Sequence, residues 1–146
     1  MSNIYVIDGI GLAGLAIIYH DKNKSHPLFK LFSPSGSLNK KYITTEASIM
    51  AAFSMVADMK KPKLTEALKR VVRYFFDMTV LHFEIEYKDS AKLCQDYGTF
   101  VQGVGTLYSP YILDSGFLAV ELYPGAVIVG KDSPFYRSEG VTVHAI

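Results

Sequence analysis

Residues 79–108, TVLHFEIEYKDSAKLCQDYGTFVQGVGTLY, carry two different periods in succession, and this constrains the fold more than any other stretch. Val80, His82, Glu84 and Glu86 alternate with Leu81, Phe83, Ile85 and Tyr87, which predicts a strand with carboxylates on one face. Cys94, Tyr97, Val101, Val104 and Tyr108 then recur at spacings of three and four, the stripe of an amphipathic helix. Asp89 or Ser90 is placed to cap it, since either side chain can accept from the first free backbone N–H groups. A strand ending in acids runs straight into a helix.

At 146 residues the chain is long enough for one sizeable core, so residues 1–146 are read as a single domain. A 49% hydrophobic content and a net charge of +1 argue against a disordered tail and against nucleic-acid binding driven by overall charge. Any electropositive surface must be local. The lone Cys94 has no intramolecular partner and falls on the apolar stripe of its helix, which predicts a buried thiol in a reducing compartment. MSNIYVIDG places no basic region before an apolar stretch, and no run reaches membrane-spanning length. The expectation is a soluble cytoplasmic protein without a membrane partner.

Residues 3–7, NIYVI, form a short apolar strand ending at Asp8. GIGLAG reads as a tight turn leading into a second strand at 15–20, not as the opening of a dinucleotide-binding helix. A third strand at 28–32, LFKLF, completes an antiparallel meander. Thr44 or Thr45 then caps a helix over 46–59, and Pro62 starts another whose body is 63–76. Leu64, Leu68, Val71, Val72, Phe75 and Phe76 mark its buried side. Lys60, Lys61, Lys63, Lys69, Arg70 and Arg73 crowd its start and outer face, the densest basic patch of the chain and its candidate phosphate-backbone contact. Pro110 ends the helical pattern, and 117–121 and 126–129 read as two late strands around Tyr123-Pro124-Gly125. The sum is an α/β domain, bordering on α+β, with a mixed sheet flanked by helices.

A first strand ending in Asp8, a glycine-rich turn, two further strands, then helices and an acidic strand resemble the layout of the ribonuclease H-like superfamily. FEIEYKDSAKLCQDYGTFVQGV is similar to the central strand and following helix of RuvC-type Holliday-junction resolvases, where Ile-Glu precedes an Asp-Ser-Ala helix start. VIDGIGLAGLAII likewise resembles that family's first hairpin. The resemblance implies a Mg2+-dependent endonuclease acting as a homodimer on branched or structured DNA. Asp8 would be the shared metal ligand and Glu86 the acid of the central strand, with Glu84 on the same face as its alternate. Such chemistry needs several carboxylates converging from neighbouring strands to hold paired metal ions. Glu46, followed by Asp89, is the alternative ligand set, matching the first-helix glutamate of ordinary ribonucleases H.

The chain departs from that family near its end, where resolvases carry acids on a long helix and this sequence offers Asp132 and Glu139, with His144 as a neutral ligand. Asp132 completes the candidate catalytic set. The competing expectation is a catalytically inactive ribonuclease H-like binding protein, of viral type, acting through a protein or nucleic-acid surface. Tyr108, Tyr111, Tyr123, Phe135 and Tyr136 are a candidate exposed aromatic cluster, or else a packed C-terminal subdomain.

Overall fold

The computed structural model describes residues 4–31, 40–79, 90–104 and 108–146. The acidic strand expected at its centre, with Glu84, Glu86 and Asp89, lies outside them.

Ile4–Ile7 is the first strand, β1, and all four of its side chains are apolar. Such a strand suits a sheet covered on both faces. Ile7 enters a core with Leu12, Leu15, Leu64 and Leu68, while its neighbour Val6 enters a second core with Ile43, Ile128 and Tyr136. Beyond β1 the chain departs from the expected antiparallel meander. GIGLAGLAIIYH is one helix, α1 (Gly9–His20), so the stretch expected as a strand at 15–20 is helical. An unbroken apolar run has no period that separates a buried strand from a buried helix, and here the cap decides. Asp8 closes the first turn by accepting from Gly11 N. Leu12, Ala13, Leu15, Ala16 and Ile18 are then all buried. The third expected strand is also helical over α2 (Pro27–Leu31), with Pro27 at the first position, where its missing N–H is harmless.

The second strand, β2 (Lys41–Thr44), is short and was not foreseen. α3 (Glu46–Asp58) and α4 (Pro62–Thr79) stand where the sequence put them, and Thr45 is the cap of α3. α5 (Ser90–Val104) likewise matches its predicted helix, but Cys94 is exposed. The helix docks further along, through Tyr97 and Phe100 edge-on against Phe117 at 5.3 and 5.5 Å. Pro110 opens a helix instead of ending one: α6 (Pro110–Phe117) runs into a π-helical turn, Leu118–Leu122, so residues 117–121 are helical where a strand was expected. The strand expected at 126–129 is present as β3 (Val127–Gly130). α7 (Pro134–Ser138) and β4 (Thr142–Ala145) complete the described chain.

The α/β class holds, but the described sheet is entirely parallel instead of mixed, in the order β2-β1-β3-β4. Ile4 to Ile7 pair with Lys41 to Thr44 on one side, and Tyr5 to Ile7 with Val127 to Val129 on the other. Parallel neighbours require crossovers, and these supply two helical layers. α1 to α4 pack on one face and α6, the π-helical turn and α7 on the other. The winding direction reverses between β1 and β3, and in open parallel sheets that crevice, at the carboxyl ends of the strands, is where ligands bind. Among the described residues no helix is long and apolar enough to cross a membrane.

Candidate active site at the carboxyl edge of the sheet

Asp8 is the first residue past β1 and stands at this reversal, with no solvent exposure at all. Its main chain continues the ladder, the N–H donating to Val129 O at 3.1 Å. One carboxylate oxygen, Oδ1, accepts from Gly11 N at 2.8 Å, and Oδ2 accepts from Lys131 N at 3.1 Å and from the Tyr136 hydroxyl at 2.9 Å. The carboxylate lies over Gly130, where a methyl group would overlap it. Burial pushes the Asp8 pKa above the ordinary aspartate value, and the hydrogen bonds from Gly11, Lys131, Tyr136 and Ile10 oppose that rise without cancelling it. Tyr136 is driven strongly upward by its own burial and then by the charge of Asp8, so it stays a phenol and a donor.

Hydroxyl groups continue the polar layer along the same edge. Thr44 Oγ1 donates to Ile7 O at 2.7 Å, tying β2 to β1. Thr45 Oγ1 accepts from Ser48 N and donates to Ser48 Oγ, both at 3.0 Å. Ser48 Oγ lies 3.4 Å from Ser115 Oγ, which donates to Tyr111 O at 2.7 Å. This chain carries the layer from α3 to α6. Tyr111 also borders Gly9, where an added methyl would sit 3.3 Å from its ring, and its pKa is raised by burial and then by the charge of Asp8.

Of the candidate acids, Asp8 stands at the end of β1, Glu46 is exposed in the first turn of α3 just past β2, and Asp132 lies two residues past β3. Asp132 is exposed and faces Arg137 Nε at 3.6 Å. Sequence reasoning missed Asp114. It sits on α6 between Tyr111 and Ser115, half-buried, and accepts a short hydrogen bond from the Tyr97 hydroxyl of α5. Its pKa is raised by burial, against the lowering effect of that bond. The signal for it was Ser109-Pro110, a cap followed by proline that opens a helix carrying Tyr111, Asp114 and Ser115. These acids are all oxygen donors, the chemistry that suits Mg2+, yet among the described residues no three metal-ligating side chains come together. Glu139 is exposed after α7, and His144 lies edge-on to Tyr5 at 6.3 Å on β4. Lys60, Lys61, Lys63, Lys69, Arg70 and Arg73 are all exposed, on the α3–α4 turn and α4. The aromatic cluster is the packed subdomain: Tyr123, Phe135 and Tyr136 are buried, with Tyr108 and Tyr111 packed against them.

Gly9, Gly11 and Gly14 have the G-x-G-x-x-G spacing, follow a strand and open a helix, which corrects their reading as a turn into a strand. The context is that of a dinucleotide-binding fingerprint, but the space is taken. A methyl at Gly11 would overlap the Val129 carbonyl oxygen, one at Gly14 would overlap the Ile146 side chain, and one at Gly9 would sit 3.0 Å from the Ala51 methyl. These glycines admit protein atoms, and the Asp8 carboxylate occupies the anion position at the helix N-terminus. The fold and site define a parallel, doubly wound α/β domain with a buried carboxylate at its switch point. No protein-family model, curated protein or solved structure matches the chain, so the reading of this edge rests on its own residues.

Proposed function

We propose that the chain is a Mg2+-dependent endonuclease whose centre lies on the carboxyl edge of the sheet. One observation carries this reading: Asp8 follows β1 directly, Glu46 and Asp132 follow β2 and β3 by two residues, and Asp114 stands on the helix that borders the same edge. Metal-assisted phosphodiester hydrolysis needs carboxylates within reach of shared ions, which activate water and steady the departing oxygen. These acids share an edge of the sheet, although among the described residues no three of them form a ready-made metal group. Glu84 and Glu86 are the further acids this centre would draw on. Asp8 and its neighbours would hold Mg2+, which supplies Lewis acidity toward the scissile phosphate, while Tyr111 and Tyr136 restrict water around the carboxylate. The substrate is nucleic acid, with branched DNA the form taken from the resolvase resemblance, and the enzyme acts as a homodimer.

The test is calorimetric titration with Mg2+ and Mn2+ beside cleavage of single-stranded, duplex and four-way-junction DNA. The expected result is metal uptake and cutting in the wild type, both lost in Asp132→Asn and Glu46→Gln, whose exposed positions leave folding intact. A folded wild type that neither takes up metal nor cuts would sink the proposal. That outcome would favour the second reading, a binding module without catalysis. The observation behind it is that both Asp8 oxygens already have protein donors, so the group serves the fold alone.

A further inference from the structure

α4 is divided lengthwise into two faces. Leu64, Leu68 and Val71 are buried against α1 and α3, while Lys63, Arg70 and Arg73 lie on the outer side with Lys69 and Glu66. Among the described residues only Lys69 has a counter-ion there, Glu66 at 3.2 Å. Lys60, Lys61, Lys63, Arg70 and Arg73 make no ion pair among the described residues. Lys63 and Arg70 are two turns apart on one line and Arg73 follows nearly a turn later, so the row extends over about 15 Å at 1.5 Å per residue. Among the described residues no large apolar side chain is exposed along it, and Met59 is exposed on the preceding turn.

The row has a direction. α3 begins beside Glu46 at the carboxyl edge and runs away from it, and α4 turns back against α3. Lys60, Lys61 and Lys63 therefore stand at the far end, and Arg70 and Arg73 lie progressively nearer the edge that carries the acids. A protein-binding surface needs an apolar centre to stabilise it, which the described residues of this face lack, whereas a phosphate backbone needs only cations in a row. We propose that the outer face of α4 is the track on which the phosphate backbone of a nucleic-acid strand is held and led toward the carboxyl edge. This deepens the nuclease reading by naming the surface that presents the substrate, and rests on it only for the strand's destination.

The experiment is fluorescence anisotropy with a labelled oligothymidylate longer than the roughly 4–16 nucleotides that a single-strand-binding domain covers. EDTA is present throughout, so that no cutting occurs. Each backbone contact contributes about 0.7 to the slope of log affinity against log salt for a single strand. Arg70→Gln/Arg73→Gln should lower that slope by about 1.4 and weaken binding about ten-fold at low salt. Lys22→Gln/Lys24→Gln, on the exposed turn after α1, should change neither. The proposal is overturned if the arginine pair leaves affinity and slope unchanged, if the wild type does not bind, or if polyglutamate displaces the strand equally well per charge. Binding as expected in a protein that never cuts would retire the nuclease reading and leave the track standing.

Discussion

Charge is handled in opposite ways at the carboxyl edge and on the outer face of α4. Asp8 has no exposure and three donors around two oxygens, while five cations of the α3–α4 segment lie in water with no ion pair among the described residues. The first charge is part of the architecture, because removing it strands the buried Gly11 N–H and Tyr136 hydroxyl. The second set is free to serve a ligand, because solvated lysines and arginines away from packing contribute little to stability. A substitution at Asp8 therefore mixes folding with chemistry. One at Arg70 or Arg73 reports on binding alone.

The contrast can be broken most forcefully at Asp8 itself. Asp8→Ala removes the cap of α1 and leaves Gly11 N, Lys131 N and the Tyr136 hydroxyl without their acceptor, a predicted loss of about 3–5 kcal/mol. Urea unfolding would measure it, and a loss below about 1 kcal/mol would show that the cradle is not structural. Gly130→Ala should follow at about 3 kcal/mol, since its methyl overlaps the carboxylate and either the strand or Asp8 must move. If that variant melts like the wild type, the carboxylate does not lie over Gly130. Tyr136→Phe removes one charge-assisted hydrogen bond and no volume of consequence, so about 2 kcal/mol is expected from the same unfolding curves.

The smallest effect is in pH dependence and belongs to Asp114. Burial raises its pKa above the ordinary 3.8 despite the hydrogen bond from Tyr97, so the folded protein holds this proton to a higher pH than the unfolded chain does. Its contribution to stability is then greatest in acid and declines as pH rises from about the unfolded value through the folded one. Asp114→Asn should flatten that decline in Tm as the pH rises above the ordinary carboxylate range, whereas a steeper decline would reverse the assignment.

The helices with a polar side were legible in the sequence and the buried ones were not. α4 sets apolar against charged residues at helical spacing, α3 spaces Ile49, Phe53 and Val56 along one side between its acidic ends, and Thr45 and Pro62 mark their starts. GIGLAGLAIIYH offers no such contrast, because a helix covered by α3, α4 and the sheet is apolar nearly all round, and its helical mark, Asp8 as a cap, was read as part of a turn. Residues 117–121 misled for the same reason, since Phe117, Leu118 and Ala119 are apolar and buried in a helix that continues through a π turn. β2 is only four residues long and two of them are lysine and threonine, so it carried little strand signal. Of the site, Asp8, Glu46 and Asp132 could be picked out as acids near element ends. Tyr111 and Tyr136 could not, since their relation to Asp8 exists only in the folded chain, nor could Asp114, whose partner is Tyr97 on another helix.

The place of β1 in the sheet also bears on the order in which the chain can fold. Its inner neighbour β3 is more than a hundred residues away, and the hydroxyl that reaches Asp8 lies 128 positions along the chain. Closing such long loops before their contacts form slows folding, and β1, which can pair with β2 early, gains β3 only after most of the chain is made. As the ribosome releases the protein, Asp8 must remain hydrated until Tyr136 has emerged. The buried carboxylate is thus a late event of folding. Pulsed hydrogen exchange should find the Gly11 amide protected only with the β3 amides, and earlier protection of α1 alone would contradict it.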